Sequence, residues 1–387
     1  MEGRRTYLDH AATTPMRAGA IEAMLPHLAG RFGNPSGAHA EARRARRALE
    51  DARDRTAALL GADPAEVVFT SGGTEADNLA VAGGWEAAAA LGPPPRALVC
   101  TAMEHHAVLH ACRALALRTG AELREVRPGK DGIVDPGALA EACTPEVGLV
   151  SVMSVNNEIG TVQPMGALAA VVRDGSPRAV LHTDAVQAVP WLEVGALTAA
   201  ADLVAVSAHK FGGPQGVGAL VVRGSTGLSP LHRGGGQERE RRSGTHNVAG
   251  VVAMAVALSA TDAERPVTAA RVAALRDRLG DGLLRSVPGA AETGDRSART
   301  AGHLHMRFAG VESEALVVLL DEAGLSVSAG AACSSGAVER SHVLTAMGLD
   351  HDEAASGIRF SFGTTSDEAD VDHALAVVPQ AVARLRD

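Results

Sequence analysis

Short apolar runs rich in Val, Leu and Ala alternate along the chain with longer stretches whose apolar residues return every third or fourth position. The first kind reads as buried strand, the second as amphipathic helix. Strands are expected at 66–70 (EVVFT), 96–100 (RALVC), 148–154, 179–183, 203–207 and 217–223. The intervening segments read as helices. Residues 71–91 open on a Ser-Gly-Gly turn, and 105–119 set Val108, Cys112 and Leu115 on one face and stop at Gly120. Asp135-Pro136 supplies a capping side chain and a first-turn proline, and a further helix covers 165–173. This alternation predicts an α/β fold, a mostly parallel sheet sandwiched by helices. The link from 207 to 217 is too short for a crossover helix, so 217–223 is expected to run antiparallel.

After an apolar helix at 248–260, the polar stretch TDAERP (261–266) reads as a boundary. The remainder reads helix, strand, helix, strand, with a closing helix from about Asp367, which makes a smaller α+β domain. The expected division is 16–262 for a large domain, and 1–15 with 263–387 for a small one carrying the Cys333 loop. In strand 357–362, Ile358, Phe360 and Phe362 face one way and Arg359 and Ser361 the other. An arginine so placed becomes a ligand only where its face lines a cleft.

Composition narrows the possibilities. At 46% hydrophobic and 21% charged, the 387 residues exclude a mostly disordered chain. Aromatics are 2%, so Ala, Val and Leu must build the core. A net charge of −9 argues against direct nucleic-acid binding. The arginines of ARRARRALEDARDR (42–55) are interleaved with Ala, Leu, Glu and Asp and read as a solvated helix face. The longest apolar stretch, 249–258, is far short of the ~18 residues of a membrane span. The start, MEGRRTYLDHAATTP, lacks the apolar region of a signal peptide. A cytoplasmic protein without a membrane partner is expected. Cys100, Cys112, Cys143 and Cys333 lie far apart without a C-x-x-C, which suggests neither a disulfide framework nor a zinc finger.

Sites in open α/β sheets form beyond the carboxyl ends of the strands. There the sequence places Ser71-Gly72-Gly73-Thr74, then Met103-Glu104-His105-His106, Asn156-Asn157-Glu158, Asp184 with Gln187, and Ser207-Ala208-His209-Lys210 ahead of a glycine-rich run. No G-x-G-x-x-G or G-K-[ST] stands at a strand end, which disfavours dinucleotide and P-loop chemistry. One lysine, one aspartate, an imidazole and a phosphate cradle suit pyridoxal phosphate. Its aldehyde takes a lysine amine, and its ring nitrogen stays protonated beside a carboxylate. His106 and His110 have a zinc-compatible spacing, but no third ligand or H-E-x-x-H accompanies them, and no metal is expected. His303 and His305 alternate on a strand and read as its polar face. Cys333 lies in SAGAACSSGAVERS (328–341), a run of small residues that reads as a loop. It is the only cysteine placed like a nucleophile, the others reading as packed small hydrophobes.

YLDHAATTP (7–15), FGNPSGAH (32–39), SGGTEADN (71–78), MEHHAVL (103–109), VNNEIGTVQP (155–164), HTDAVQ (182–187), SAHKFGGPQGVGAL (207–220), RSGTHN (242–247), GAACSSG (330–336) and IRFSFG (358–363) together resemble the cysteine desulfurases. These are pyridoxal-phosphate enzymes of fold type I in the class V aminotransferase group, and the loop is similar to that of their nitrogen-fixation and iron–sulfur-cluster type. The resemblance implies that Lys210 holds pyridoxal 5′-phosphate as a Schiff base and moves protons at the substrate Cα. It implies that Asp184 pairs with the ring nitrogen, Gln187 bonds the ring oxygen, and His105 stacks on the ring as acid or base. Gly73, Thr74, Ser207 and His209 would hold the phosphate, with Thr245 reaching it from the other subunit of a homodimer. Asn157 and Arg359 would grip the carboxylate of L-cysteine, and Cys333 would accept its sulfur as a persulfide, leaving alanine. A sulfur-acceptor protein is the implied partner, serving iron–sulfur clusters or tRNA, cofactor, DNA or natural-product sulfuration. A selenocysteine lyase or an aminotransferase of the same fold is the alternative. Two departures stand out: Glu240 occupies a position where the family often has Gly, and no scaffold-docking tail is expected after Arg386-Asp387.

Overall fold

A computed structural model describes residues 5–90, 92–330 and 340–387 of the chain. Among the described residues the strands are β1 (Thr6–Tyr7), β2 (Val67–Thr70), β3 (Ala97–Thr101), β4 (Glu122–Val126), β5 (Val147–Ser151), β6 (Val180–Asp184), β7 (Leu203–Ser207), β8 (Gly218–Val222), β9 (Ala290–Glu292), β10 (His303–Phe308), β11 (Leu325–Ser326) and β12 (Gly357–Ser361). Seven of them form one sheet in the order β2-β8-β7-β6-β5-β3-β4. Only β8 runs antiparallel to its neighbours, as its short approach from Ser207 requires.

Helices cover both faces of this sheet, so its inner strands are buried throughout. The two faces feed different cores. Val204 and Val206 of β7 enter the largest apolar cluster with Phe69, Leu181 and Met254. Leu203 and Ala205 enter a smaller one with Leu79 and Leu220 on the other face. The exception is β4, Glu-Leu-Arg-Glu-Val, which lies at the edge with only Val126 buried. An edge strand need not be apolar, and for that reason the hydrophobic pattern passes over it. The strand expected at 148–154 ends at Ser151, and the chain then bends toward Asp184, whose carbonyl accepts from the Ser154 N–H at 2.9 Å.

A second core, around Leu279, Leu316, Phe308 and Phe360, packs on the three-stranded antiparallel sheet β12-β10-β9. Residues 261–266 do not interrupt the chain on the way there. One helix runs from Val248 to Ser286, with Met254 and Leu258 in the first core and Leu275, Leu279 and Leu283 in the second. The stretch is polar because the helix crosses the gap between cores, and Pro266 sits on its exposed side. The closing helix, Glu368–Arg386, starts where Asp367 and Asp370 form a reciprocal cap.

Two polar readings are corrected. Arg53 is not on a solvated face: it is buried, with Nη2 2.8 Å from Glu238 Oε1 and its guanidinium 4.8 Å from the Phe69 ring centre. His303 and His305 are fully buried, and His303 Nδ1 is 2.8 Å from Thr300 Oγ1. The face they share with Ser361 and Arg359 across β12 turns inward, and burial pushes both imidazoles down to about 3, which leaves them neutral.

Candidate active site

The carboxyl ends of the sheet strands and one strand of the small sheet close around a cavity of about 360 Å³. Gly73, Thr74, His105, Asn157, Asp184, Gln187, Ser207, His209, Lys210 and Arg359 all line it. Thr245 does not; it is exposed in the turn before helix Val248–Ser286. Cys333 lies outside the described residues, whereas Cys100, Cys112 and Cys143 are buried.

Lys210 follows β7 on a single helical turn, Ala208–Lys210. Its Nζ donates to the carbonyls of Ala11 at 2.6 Å and Ala12 at 2.8 Å. The Ala11 carbonyl also accepts from Gln187 Nε2 at 2.9 Å. The amino-terminal segment is carried there by backbone pairing. The N–H of His10 donates to the Ser361 carbonyl, and the N–H of Ala11 to Ser361 Oγ at 2.9 Å. Sequence reasoning gave residues 9–12 no role, because two of their contributions are main-chain carbonyls that no side-chain pattern marks.

Asp184 ends β6, and its Oδ1 accepts from the Val186 N–H at 2.8 Å. Burial pushes its carboxyl up to about 6, while that hydrogen bond and the Lys210 charge oppose the shift. Two further buried carboxyls lie near it. Glu104 accepts from the Met153 N–H and the Thr101 hydroxyl, yet burial drives it to about 8, so it holds its proton at neutral pH. Asp77 is also raised, by burial first and then by Asp184 and Glu104. Its Oδ1 stands 3.5 Å from His182 Nε2, and His182 Nδ1 is 2.8 Å from Ser151 Oγ. The one carboxyl in this group with a lysine beside it is Asp184, which is therefore the group's best anion.

His105 caps helix His106–Thr119, its Nδ1 accepting from the Ala107 N–H at 3.1 Å. Burial, then the nearby Lys210 charge, lowers it to about 4. The ring is neutral at pH 7 and, with Nδ1 engaged as acceptor, carries its proton on Nε2. His106 stacks on His110 at 4.8 Å and lies 4.6 Å from His342. Among the described residues no group of three His, Cys, Asp or Glu is placed to hold a metal ion.

At the turn after β2, Gly72 has φ +149°, which favours glycine. A Cβ on Gly73 would come within 3.0 Å of Val186 Cγ2 and 3.4 Å of Ser207 Cβ, so the backbone itself forms this wall. His209 Nδ1 is 3.1 Å from Thr13 Oγ1, and burial lowers the ring to about 4. On the opposite wall the polar face of β12 lines the cleft. Arg359 Nη1 donates to the Asn157 carbonyl at 2.9 Å and Nη2 to Asp9 Oδ1 at 2.7 Å, while Nε has no partner among the described residues. Asp9 was missed in the sequence; its only signal was its place in the motif YLDHAATTP.

The Aminotransferase class-V family pattern matches residues 6–374. An IscS-like cysteine desulfurase of Mycobacterium tuberculosis is 46% identical over 98% of this chain and 97% of its own length. A solved NifS-like protein superimposes with a TM-score of 0.90 at 32% identity, covering 98% of this chain and all of that one. A structure described as SspA in complex with cysteine gives a TM-score of 0.80 at 31% identity, covering 94% of this chain and all of that one. With the family pattern running through the seven-stranded and three-stranded sheets and the residues that line the cavity, the chain belongs to the aminotransferase class-V family.

Proposed function

We propose that this protein is a pyridoxal 5′-phosphate-dependent cysteine desulfurase that takes sulfur from L-cysteine onto Cys333 and releases L-alanine. The observation that carries the reading is the convergence of Lys210, Asp184, His105 and Arg359 on one cavity. The donor set fits the cofactor. A primary amine stands beside a buried carboxylate, with a neutral imidazole nearby, and a side chain at Gly73 would have to push Val186 aside. When bound, pyridoxal phosphate supplies an aldehyde for amines and a protonated ring that withdraws electrons.

The chain's own residues divide the remaining work. Asp184 would hold the ring nitrogen, Gln187 the ring oxygen, and Gly73, Thr74, Ser207 and His209 the phosphate. Arg359 and Asn157 would orient the substrate carboxylate, a task for which the planar guanidinium has donors to spare. Lys210 Nζ would take the Cα proton, and His105 Nε2 would serve as a neutral acid–base group in the same cavity. The Cys333 thiolate attacks the substrate sulfur, so that an S–S bond forms as the C–S bond breaks. The bond pair stays with carbon, which takes a proton and becomes the methyl group of alanine.

A homodimer belongs to this reading. Ile21, Leu25 and Leu28 lie at helical spacing on helix Ala18–Leu28, and with Phe32 they leave an exposed apolar stripe. Thr245 would then serve the partner's phosphate site. The proposal includes division into 16–262 and a small domain of 1–15 with 263–387, a cytoplasmic location, and an acceptor protein such as an iron–sulfur scaffold. No helix among the described residues is long and apolar enough to cross a membrane. The test is incubation with sulfur-labelled cysteine followed by mass mapping. Label on Cys333 with equimolar alanine is expected; label on another residue, or none, would remove the reading.

A further inference from the structure

Glu158 is fully buried and is not among the residues that line the cavity. Its turn is fixed by Asn156, whose Oδ1 accepts from the N–H of Glu158 at 2.9 Å and of Ile159 at 3.1 Å. Asn156 Nδ2 in turn donates to the Met103 carbonyl at 3.0 Å. The residue between, Asn157, receives Arg359 Nη1 on its carbonyl. Glu158 is thus one residue from the wall that would grip the substrate carboxylate.

Its carboxylate reaches two segments far away in sequence. Ser341 Oγ donates to Glu158 Oε2 at 2.5 Å and accepts from the Leu344 N–H at 3.1 Å, capping the helix His342–Ala346. Gly330 lies against the same oxygen. A Cβ there would come 2.8 Å from Glu158 Oε2 and 3.9 Å from Ser341 Cβ, and its φ of +68° favours glycine independently. Gly330 also lines the cavity. Just ahead of it, Ser328 and Arg359 exchange backbone hydrogen bonds of 2.7 and 3.2 Å. The chain on both sides of 331–339 therefore meets at one buried carboxylate, and one side is also paired to the substrate arginine's own strand.

We propose that Glu158 is a positioning residue for sulfur transfer: by binding Ser341 and seating Gly330, it fixes both points between which the Cys333-bearing segment is strung, relative to the Arg359 wall. The inference rests on the desulfurase reading. Holding a nucleophile in register with a bound substrate speeds the step between them, and misplacement by about 1 Å can cost a factor of about 100. Loss of the anchor should therefore slow transfer to Cys333 while leaving cysteine affinity intact.

The test compares holoenzymes of the wild type, Glu158→Ala, Glu158→Gln and Ser341→Ala in single turnovers with sulfur-labelled L-cysteine. Label on Cys333 gives the transfer rate, and the absorbance change of the bound cofactor on cysteine addition gives the affinity. Glu158→Ala should slow labelling by about tenfold or more and Ser341→Ala by about threefold or more. Glu158→Gln, which keeps an acceptor for Ser341, should stay within about threefold of wild type, and cysteine affinity should change less than about twofold throughout. Labelling of Glu158→Ala at the wild-type rate overturns the proposal. So does a parallel loss of cysteine affinity, which would place Glu158 in the substrate wall itself. Should Glu158→Ala fail to fold, Ser341→Ala decides alone, and wild-type labelling by it overturns the proposal. A wild type that never labels Cys333 removes the desulfurase reading first, and the anchor falls with it.

Discussion

Two buried arginines each meet a carboxylate, and they differ in what is left over. Arg53 engages all three guanidinium nitrogens: Nη1 and Nη2 on Glu238 at 2.9 and 2.8 Å, Nη1 also on the Val67 carbonyl, and Nε on Glu50. Glu238 is equally occupied, accepting from the Phe69 N–H at 3.0 Å and lying 2.8 Å from His246 Nε2. Arg359 in the cavity has one carboxylate oxygen, one carbonyl and, among the described residues, no partner for Nε. A saturated pair can only hold the fold. An incompletely satisfied one can hold the fold and still bind a ligand.

The sharpest way to break that distinction is to remove Arg53. Arg53→Ala leaves Glu238 buried without its main counter-charge, a kind of change that costs about 3–5 kcal/mol. Urea unfolding should show a loss of this size. The pair also has an acid signature. Arg53 and His246 hold the Glu238 carboxyl down at about 2, against an ordinary 4.5. Its contribution is complete above pH 4.5 and is lost as pH falls through about 2. The acid limb of the wild-type stability profile should therefore be shallower in Arg53→Ala.

Arg359→Ala should show the opposite balance. The expected loss is about 100-fold in kcat/KM for cysteine, or about 2.7 kcal/mol of transition-state binding, with a smaller effect on unfolding than Arg53→Ala. Arg359→Lys should recover little, because an ammonium cannot serve Asp9, Asn157 and a carboxylate from one plane. A large stability loss with intact kcat/KM would make Arg359 a second Arg53 and end the comparison.

Glu104 sharpens it from the carboxylate side. Like Glu238 it is buried and accepts hydrogen bonds, but no cation pairs with it among the described residues, and it rises to about 8 instead of falling to about 2. The folded protein keeps this proton where the unfolded chain has lost it, between about 4.5 and about 8. Stability should therefore fall as pH rises through that window, by at most about 1.4 kcal/mol per unit from this group. Glu104→Gln removes the proton exchange, so its urea midpoint should gain on wild type between pH 5 and pH 8. A constant difference across that range would assign Glu104 an ionised state.

The same contrast marks how far the sequence could be read. Strands with both faces buried are apolar runs, and their polar ends, from Thr74 to Lys210, stood out against them. The cavity brings those ends together. Arg53 did not stand out, because it sits among eight residues of Arg, Asp and Glu in 43–55 and its partner is 185 positions away. Asp9 and the Ala11 and Ala12 carbonyls were silent for a different reason: pairing of their segment with β12 and β11 brings them to the site, and pairing partners are not written locally. The polar interval 261–266 does not end the helix expected at 248–260, because a helix crossing between two cores needs no apolar residues in the gap. Cys333 was legible as a motif and lies outside the described residues.

The smallest expected effect comes from the turn that presents Glu238. Glu238, Arg239 and Glu240 have φ of 49°, 55° and 64°, the left-handed region, which costs non-glycine residues about 1–2 kcal/mol each. Glu238 cannot be changed without losing the Arg53 pair. Glu240 is exposed, and its position is the one where resemblance to the desulfurases leads one to expect Gly. Glu240→Gly relieves the local strain and raises the entropy of the unfolded chain, two effects of opposite sign and similar size. A net gain of about 0.5 kcal/mol in urea unfolding is expected, with Glu240→Ala at or below wild type. Gain at 240 beside loss at 53 would mean that the turn is bent against its own preference and held there by the buried pair. A loss at 240 would mean that the glutamate side chain itself supports the turn, and Arg53 with Glu238 would no longer suffice to explain it.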